Sequence, residues 1–143
     1  MKNLLLAVWL TFLFINPSHA ETQKVFYPNG KLFQEIDYID GKDWKIYDSN
    51  GVLMQRKKYD LQGNLVEERF YDSQGNIIQN GDWKGHNIHG QVSRTITLKD
   101  GKIDGEDLRY DEQGKVNWKR VYKDGNLVLE QTFDKDGNLK YSK

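Results

Sequence analysis

No cysteine occurs anywhere in the 143 residues, and only two prolines do. The first absence excludes a disulfide framework, a lipid-modifiable thiol behind a leader and a thiolate nucleophile. Charge of one sign is missing too: Lys+Arg and Asp+Glu stand at 21 each, for a formal net charge of +0. No general attraction to nucleic acid or to anionic lipid follows from such a balance. Beyond residue 20 there is no apolar run long enough to cross a membrane and no amphipathic helical period. There is also no Gly-x-Ser-x-Gly elbow, no P-loop and no kinase signature, so nothing in the chain announces an enzyme.

What is present begins with a leader. Lys2 supplies a positive start, Leu4 to Ile15 is apolar, and Asn16-Pro17 breaks that run ahead of Ser18-His19-Ala20. Small residues at Ser18 and Ala20 suit signal peptidase, so residues 1–20 are expected to be a signal peptide and residues 21–143 the mature domain. Removing Lys2 with the leader leaves 20 basic and 21 acidic groups, a balance of −1. The expected address is the periplasm, the cell envelope or the exterior of a bacterium.

The mature chain is organised around Tyr47 to Gln79, which reads YDSNGVLMQRKK, YDLQGNLVEERF and YDSQGNIIQ, a unit of twelve residues written twice and begun a third time. A period so short holds one strand and one turn, repeated. In Asp-x-x-Gly the Asp bonds a backbone N–H two residues on, and the Gly takes the positive φ that closes a hairpin. Leu65 and Tyr71 are six positions apart, which in a regular strand places them on one face. Successive strands then stack leucines against tyrosines, each cross-strand pair contributing about 0.2–1 kcal/mol. Residues such as Arg56, Lys57, Lys58, Glu67 and Glu68 are too polar for a deep core. The expected fold is therefore all-β: tandem antiparallel β-hairpins forming an elongated, twisted, mostly single-layer sheet.

The same turn appears at Pro28-Asn29-Gly30 and returns at Tyr110-Asp111-x-x-Gly114, Asp124-Gly125 and Asp134-x-x-Gly137. Between Asn76 and Lys99 the rhythm breaks. The aromatic inventory, 13% of the chain, mostly serves the cross-strand ladders. Some of it is candidate surface for a partner: Trp44, Trp83, Trp118, Tyr59 and Tyr71, with Trp83 singled out because it lies in the irregular block.

His86 and His89 sit in a glycine-flanked, turn-like segment rather than a helical metal motif, and read as turn residues. Asp72 to Asn76 and Asp134 to Asn138 echo calcium loops without the closing Glu, and read as hairpin turns. Glu67 and Glu68 are adjacent on a strand, point to opposite faces and cannot act together on a substrate. No catalytic, cofactor or metal residue is assigned.

Asn29-Gly30-Lys31-Leu32, the Trp83-x-Gly85-x-x-x-His89-Gly90 segment and Lys99-Asp100-Gly101-Lys102-Ile103-Asp104-Gly105-Glu106 resemble the MORN repeat variant of bacterial proteins. The resemblance extends over residues 24–140 and includes the YwqK-like antitoxins, which use tandem hairpins of this kind. It implies a non-catalytic module that binds another protein, a toxin among them, with no cofactor and no nucleic acid. An exported member of such a family would need a partner acting in the envelope. The alternative is an envelope scaffold that binds lipid, glycan or a neighbouring protein, and a hydrolase is the third and weakest reading. The open edges of such a sheet could also accept an added strand from a partner or a second copy.

Overall fold

The computed structural model describes residues 21–143; the expected signal peptide, residues 1–20, lies outside the described residues. Eleven strands follow one another: β1 Gln23–Phe26, β2 Leu32–Asp37, β3 Lys42–Tyr47, β4 Leu53–Tyr59, β5 Leu65–Phe70, β6 Gly81–His86, β7 Val92–Lys99, β8 Lys102–Tyr110, β9 Val116–Lys123, β10 Asn126–Phe133 and β11 Leu139–Ser142. Every pairing is antiparallel and joins neighbours in sequence. The all-β meander of hairpins is thus as expected.

The turn physics is visible atom by atom. In the turn after β3, the Gly51 N–H donates to the Asp48 carbonyl at 3.0 Å and the Asp48 N–H to the Val52 carbonyl at 2.8 Å. Asp48 Oδ1 accepts from the N–H groups of Asn50 and Val52 at 2.8 and 2.9 Å. Gly51 sits at φ 89°, the left-handed position of a type I turn with a following bulge. Asp60, Asp72, Asp111 and Asp134 repeat these bonds, and Asn87 substitutes for Asp in the turn after β6. A second turn class appears at Asp100-Gly101 and Asp124-Gly125, where both residues have positive φ in a two-residue hairpin.

Two expectations need correction. The strands form two sheets, one of five in the order β1-β2-β3-β4-β5 and one of six in the order β11-β10-β9-β8-β7-β6. The break falls on the third copy of the unit, where Tyr71 meets Ile77 only as an isolated bridge and no strand follows. There the chain is used for joining the sheets instead: the Tyr71 N–H reaches the Met54 carbonyl, the Ile78 N–H the Phe70 carbonyl, and the Gly101 N–H the Gln79 carbonyl. The second correction concerns alternation. A register shift stands beside most turns, for instance between Lys58 and Tyr59, so Tyr59 is opposite Leu65 across its own turn. The extra residue, Val66, falls between Leu65 and Glu67, so the even spacing from Leu65 to Tyr71 does not place those two on one face, and Leu65 shares its face with Glu68 and Phe70 instead.

The core is small and sits where the sheets meet. Phe70, Trp83, Ile96 and Leu98 form it, with Met54, Ile78 and Ile103 packed around. Tyr27 and Ile36 are buried separately in the first sheet, Tyr27 edge-on to Phe33.

Candidate functional site

Cross-strand partners share a face, so the register can be read as rows running across the strands. In the first sheet one row is Ile36, Trp44, Lys57 and Glu68. In the second, a row of the same kind is Gly85, Arg94, Arg109, Trp118, Thr132 and Tyr141. The two rows meet end to end, because Arg94 Nη1 donates to Glu68 Oε1 at 3.3 Å. A single stripe therefore runs from Trp44 on β3 to Trp118 on β9.

The stripe is polar at its centre. Arg94 holds Asp107 in a two-pronged pair at 2.8 and 2.7 Å, and Asp107 is 1% exposed. Glu68 also accepts from Gln55 at 2.7 Å and lies 3.3 Å from Lys57. Burial works against the Arg94 charge, and Asp107 with Glu68 more than offsets it, holding the guanidinium above its ordinary range. Lys57 behaves oppositely. Burial pushes its ammonium below the ordinary value, Arg94 and Arg109 push the same way, and Glu68 only partly compensates.

Aromatic rings flank this centre. Lys42 and Lys57 lie over the Trp44 ring at 4.8 and 5.6 Å, and Lys42 also reaches Tyr59 at 5.4 Å. Trp44 Nε1 is buried with no acceptor among the described residues, a donor that the fold leaves unsatisfied. At the other end Arg109 and Arg120 both stack on Trp118, at 4.5 and 4.3 Å. Arg120 is tied to Glu130 at 2.8 Å.

The sequence candidates separate accordingly. Trp44 and Tyr59 come together through Lys42, and Trp118 lies further along the same stripe. Tyr71 is in the connector between the sheets. Trp83 is a core residue, 4% exposed, packed at a tilt against Phe70 with ring centroids 5.0 Å apart and donating its Nε1–H to the Met54 carbonyl at 3.1 Å. Its ring covers the Gly85 backbone so closely that a Cβ there would stand 2.5 Å from it, which explains the Trp-x-Gly spacing. It has no face to offer a partner. Glu67 and Glu68 do diverge: Glu67 pairs with Arg69 and Glu68 with Lys57 and Arg94. His89 is a turn residue whose N–H bonds Asn87 Oδ1, and His86 ends β6 opposite Val92.

Sequence reasoning passed over Arg94, Arg109, Asp107 and Lys57. The signal was there in part, since Arg94, Ile96 and Leu98 alternate along β7 and so share the buried face. On the reverse face of the first sheet, charges of both signs interleave. Asp43 meets Arg56 in a second two-pronged pair at 2.9 and 2.7 Å, and Glu35 lies between Lys24 and Lys45. Shallow clefts of about 310 and 470 Å³ open beside Gly41, Lys42 and Tyr59, the first of them reaching Asp43, Arg56 and Lys58 on the reverse face. No group of three or more His, Asp or Glu among the described residues could hold a metal ion.

No curated protein matches the chain significantly. Residues 22–40 match the MORN repeat variant family, a span that holds β1, its turn and β2. The first hairpin of this protein is therefore similar to a MORN repeat variant.

Proposed function

We propose that this is an exported, non-catalytic module that binds another protein through the Trp44-to-Trp118 stripe, in the manner of the antitoxin and immunity proteins its repeats resemble. The observation that carries the reading is the stripe itself. It crosses both sheets in one line, has a rigid salt-bridged centre, and ends in partly exposed indoles stacked with cations. Binding surfaces concentrate their energy in a few aromatic and arginine side chains held in place by neighbours, and this face supplies both kinds. Export is supported by the pattern of residues 1–20 and places the partner in the bacterial envelope or outside the cell.

The test is recovery of a partner. The chain, tagged at its carboxyl end and purified as its own cells deliver it, is used to capture proteins from envelope extract, with a Trp44→Ala, Trp118→Ala variant as control. One protein recovered in stoichiometric amount and lost with the variant is the expected result. Equal recovery by both forms, with the variant shown to melt normally, would sink the assignment of this face.

A further inference from the structure

The stripe is unevenly charged in a way that describes its partner. From β3 to β10 five cations share its face, Lys42, Lys57, Arg94, Arg109 and Arg120, against three carboxylates, Glu68, Asp107 and Glu130. Every carboxylate is already occupied: Glu68 by Gln55, Lys57 and Arg94, Asp107 by Arg94, and Glu130 by Arg120. Arg109 and Lys42 have no carboxylate partner among the described residues and rest only on aromatic rings. Arg109 is exposed and belongs to β8, one strand from Arg94 and one from Trp118.

Contact with the Trp118 ring, 4.5 Å from its centroid, positions the Arg109 guanidinium, and no side-chain hydrogen bond among the described residues uses its N–H groups. A planar fork held in this way is suited to a carboxylate, which it can grip with two parallel bonds. Taking on an anion there would also offset the Arg94 and Arg109 charges, which add to burial in holding the Lys57 ammonium down. The two free cations are not neighbours. Several strands separate Lys42 from Arg109, at about 4.8 Å per paired strand, so one small anion cannot serve both.

Resting on the reading of this face as the partner surface, we infer that the stripe docks an acidic extended segment of a protein, one of whose Asp or Glu carboxylates is gripped by Arg109 beside Trp118. A second carboxylate meets Lys42 at the Trp44 end. An anionic bilayer is the poorer fit, because a chain with a formal net charge of +0 whose stripe offers two unpaired cations attracts such a surface only weakly.

The experiment uses the same tagged chain and three probes: end-blocked hexaglutamate, end-blocked hexaglutamine, and vesicles rich in phosphatidylglycerol. Binding of labelled peptide is followed by anisotropy for the native chain, Arg109→Gln, and Lys140→Gln, an exposed β11 lysine that belongs to neither row. Hexaglutamate is expected to bind saturably, more weakly as salt rises, and hexaglutamine not at all. Arg109→Gln should weaken hexaglutamate about tenfold while Lys140→Gln changes nothing. Equal loss in both variants, or no preference for hexaglutamate, overturns the inference. So does tighter, Arg109-dependent binding to the vesicles, which would assign the site to a lipid surface. A stoichiometric protein partner whose capture is indifferent to Arg109→Gln leaves the binding-module reading standing and removes this one.

Discussion

Arg94 and Glu68 are 26 positions apart in the chain and 3.3 Å apart in space, and their contact joins two sheets that share no paired strand. Beside it, one row further along the strands, Phe70 meets Trp83. A polar link and an apolar one therefore lie side by side at the seam. The apolar pair supplies burial, and the polar pair sets which residues must face each other, since a half-satisfied buried charge is costly.

Breaking that network should be expensive. Asp107→Ala leaves the Arg94 charge largely buried, and urea unfolding should show a loss of about 3–5 kcal/mol. Adding Arg94→Met to it should restore part of that stability, because the stranded charge goes too. A double variant as unstable as the sum of the singles would show that the pair is not coupled.

Two glycines fail for different reasons. At Gly63, φ is 85° and a Cβ would meet nothing within 4 Å, so Gly63→Ala costs only the left-handed backbone, about 1–2 kcal/mol. At Gly85 the backbone is ordinary and the Trp83 ring is in the way. Gly85→Ala should cost about 1–3 kcal/mol in the native background and less beside Trp83→Leu, whereas Gly63→Ala should cost the same in both. Thermal melts of the native chain, the three single variants and the two combinations decide it.

Trp83 and Trp118 should part company under the same substitution. Trp83→Ala removes the largest side chain of the core and should destabilise by about 3–5 kcal/mol. Trp118→Ala should change thermal stability far less and partner capture far more. A Trp118→Ala chain that melts as low as Trp83→Ala would make the stripe a second core rather than a binding surface.

Acid should loosen the hairpins in a narrow window. Asp60 is held below its ordinary value of 3.8 first by the Asn64 side chain, Asp72 and Asp134 first by the backbone N–H groups of Asn76 and Asn138, and Asp43 first by Arg56. A carboxyl depressed in the folded state contributes stability that is complete above its unfolded value and is lost as pH falls through the folded one. The melting temperature should accordingly be insensitive to these groups above about pH 5 and fall as pH drops below about 4. Replacing Asp72 with Asn should flatten that fall, and an unchanged slope would count against the turn carboxylates as its source.

Much of the fold was legible because it is local. Each Asp-x-x-Gly turn satisfies its own backbone within five residues, so Asp48, Asp60 and Asp134 announce hairpins whatever surrounds them. Trp83 was legible as exceptional, since it sits in the irregular block, and illegible as to why. An indole in an aperiodic segment can be a surface anchor or the plug between two sheets, and only the position of Phe70 and Met54 distinguishes them.

The order of strands, the turn geometry and the hairpin repeat were determined by the sequence alone, because they depend on contacts a few residues apart that recur with the period. Where the sheet divides, which charges pair, and the line from Trp44 to Trp118 were decided by tertiary structure. Those features depend on register shifts beside the turns and on one seam, formed by Glu68 with Arg94 and Phe70 with Trp83. A bulge of one residue changes which face a side chain occupies, and no period in the sequence records it.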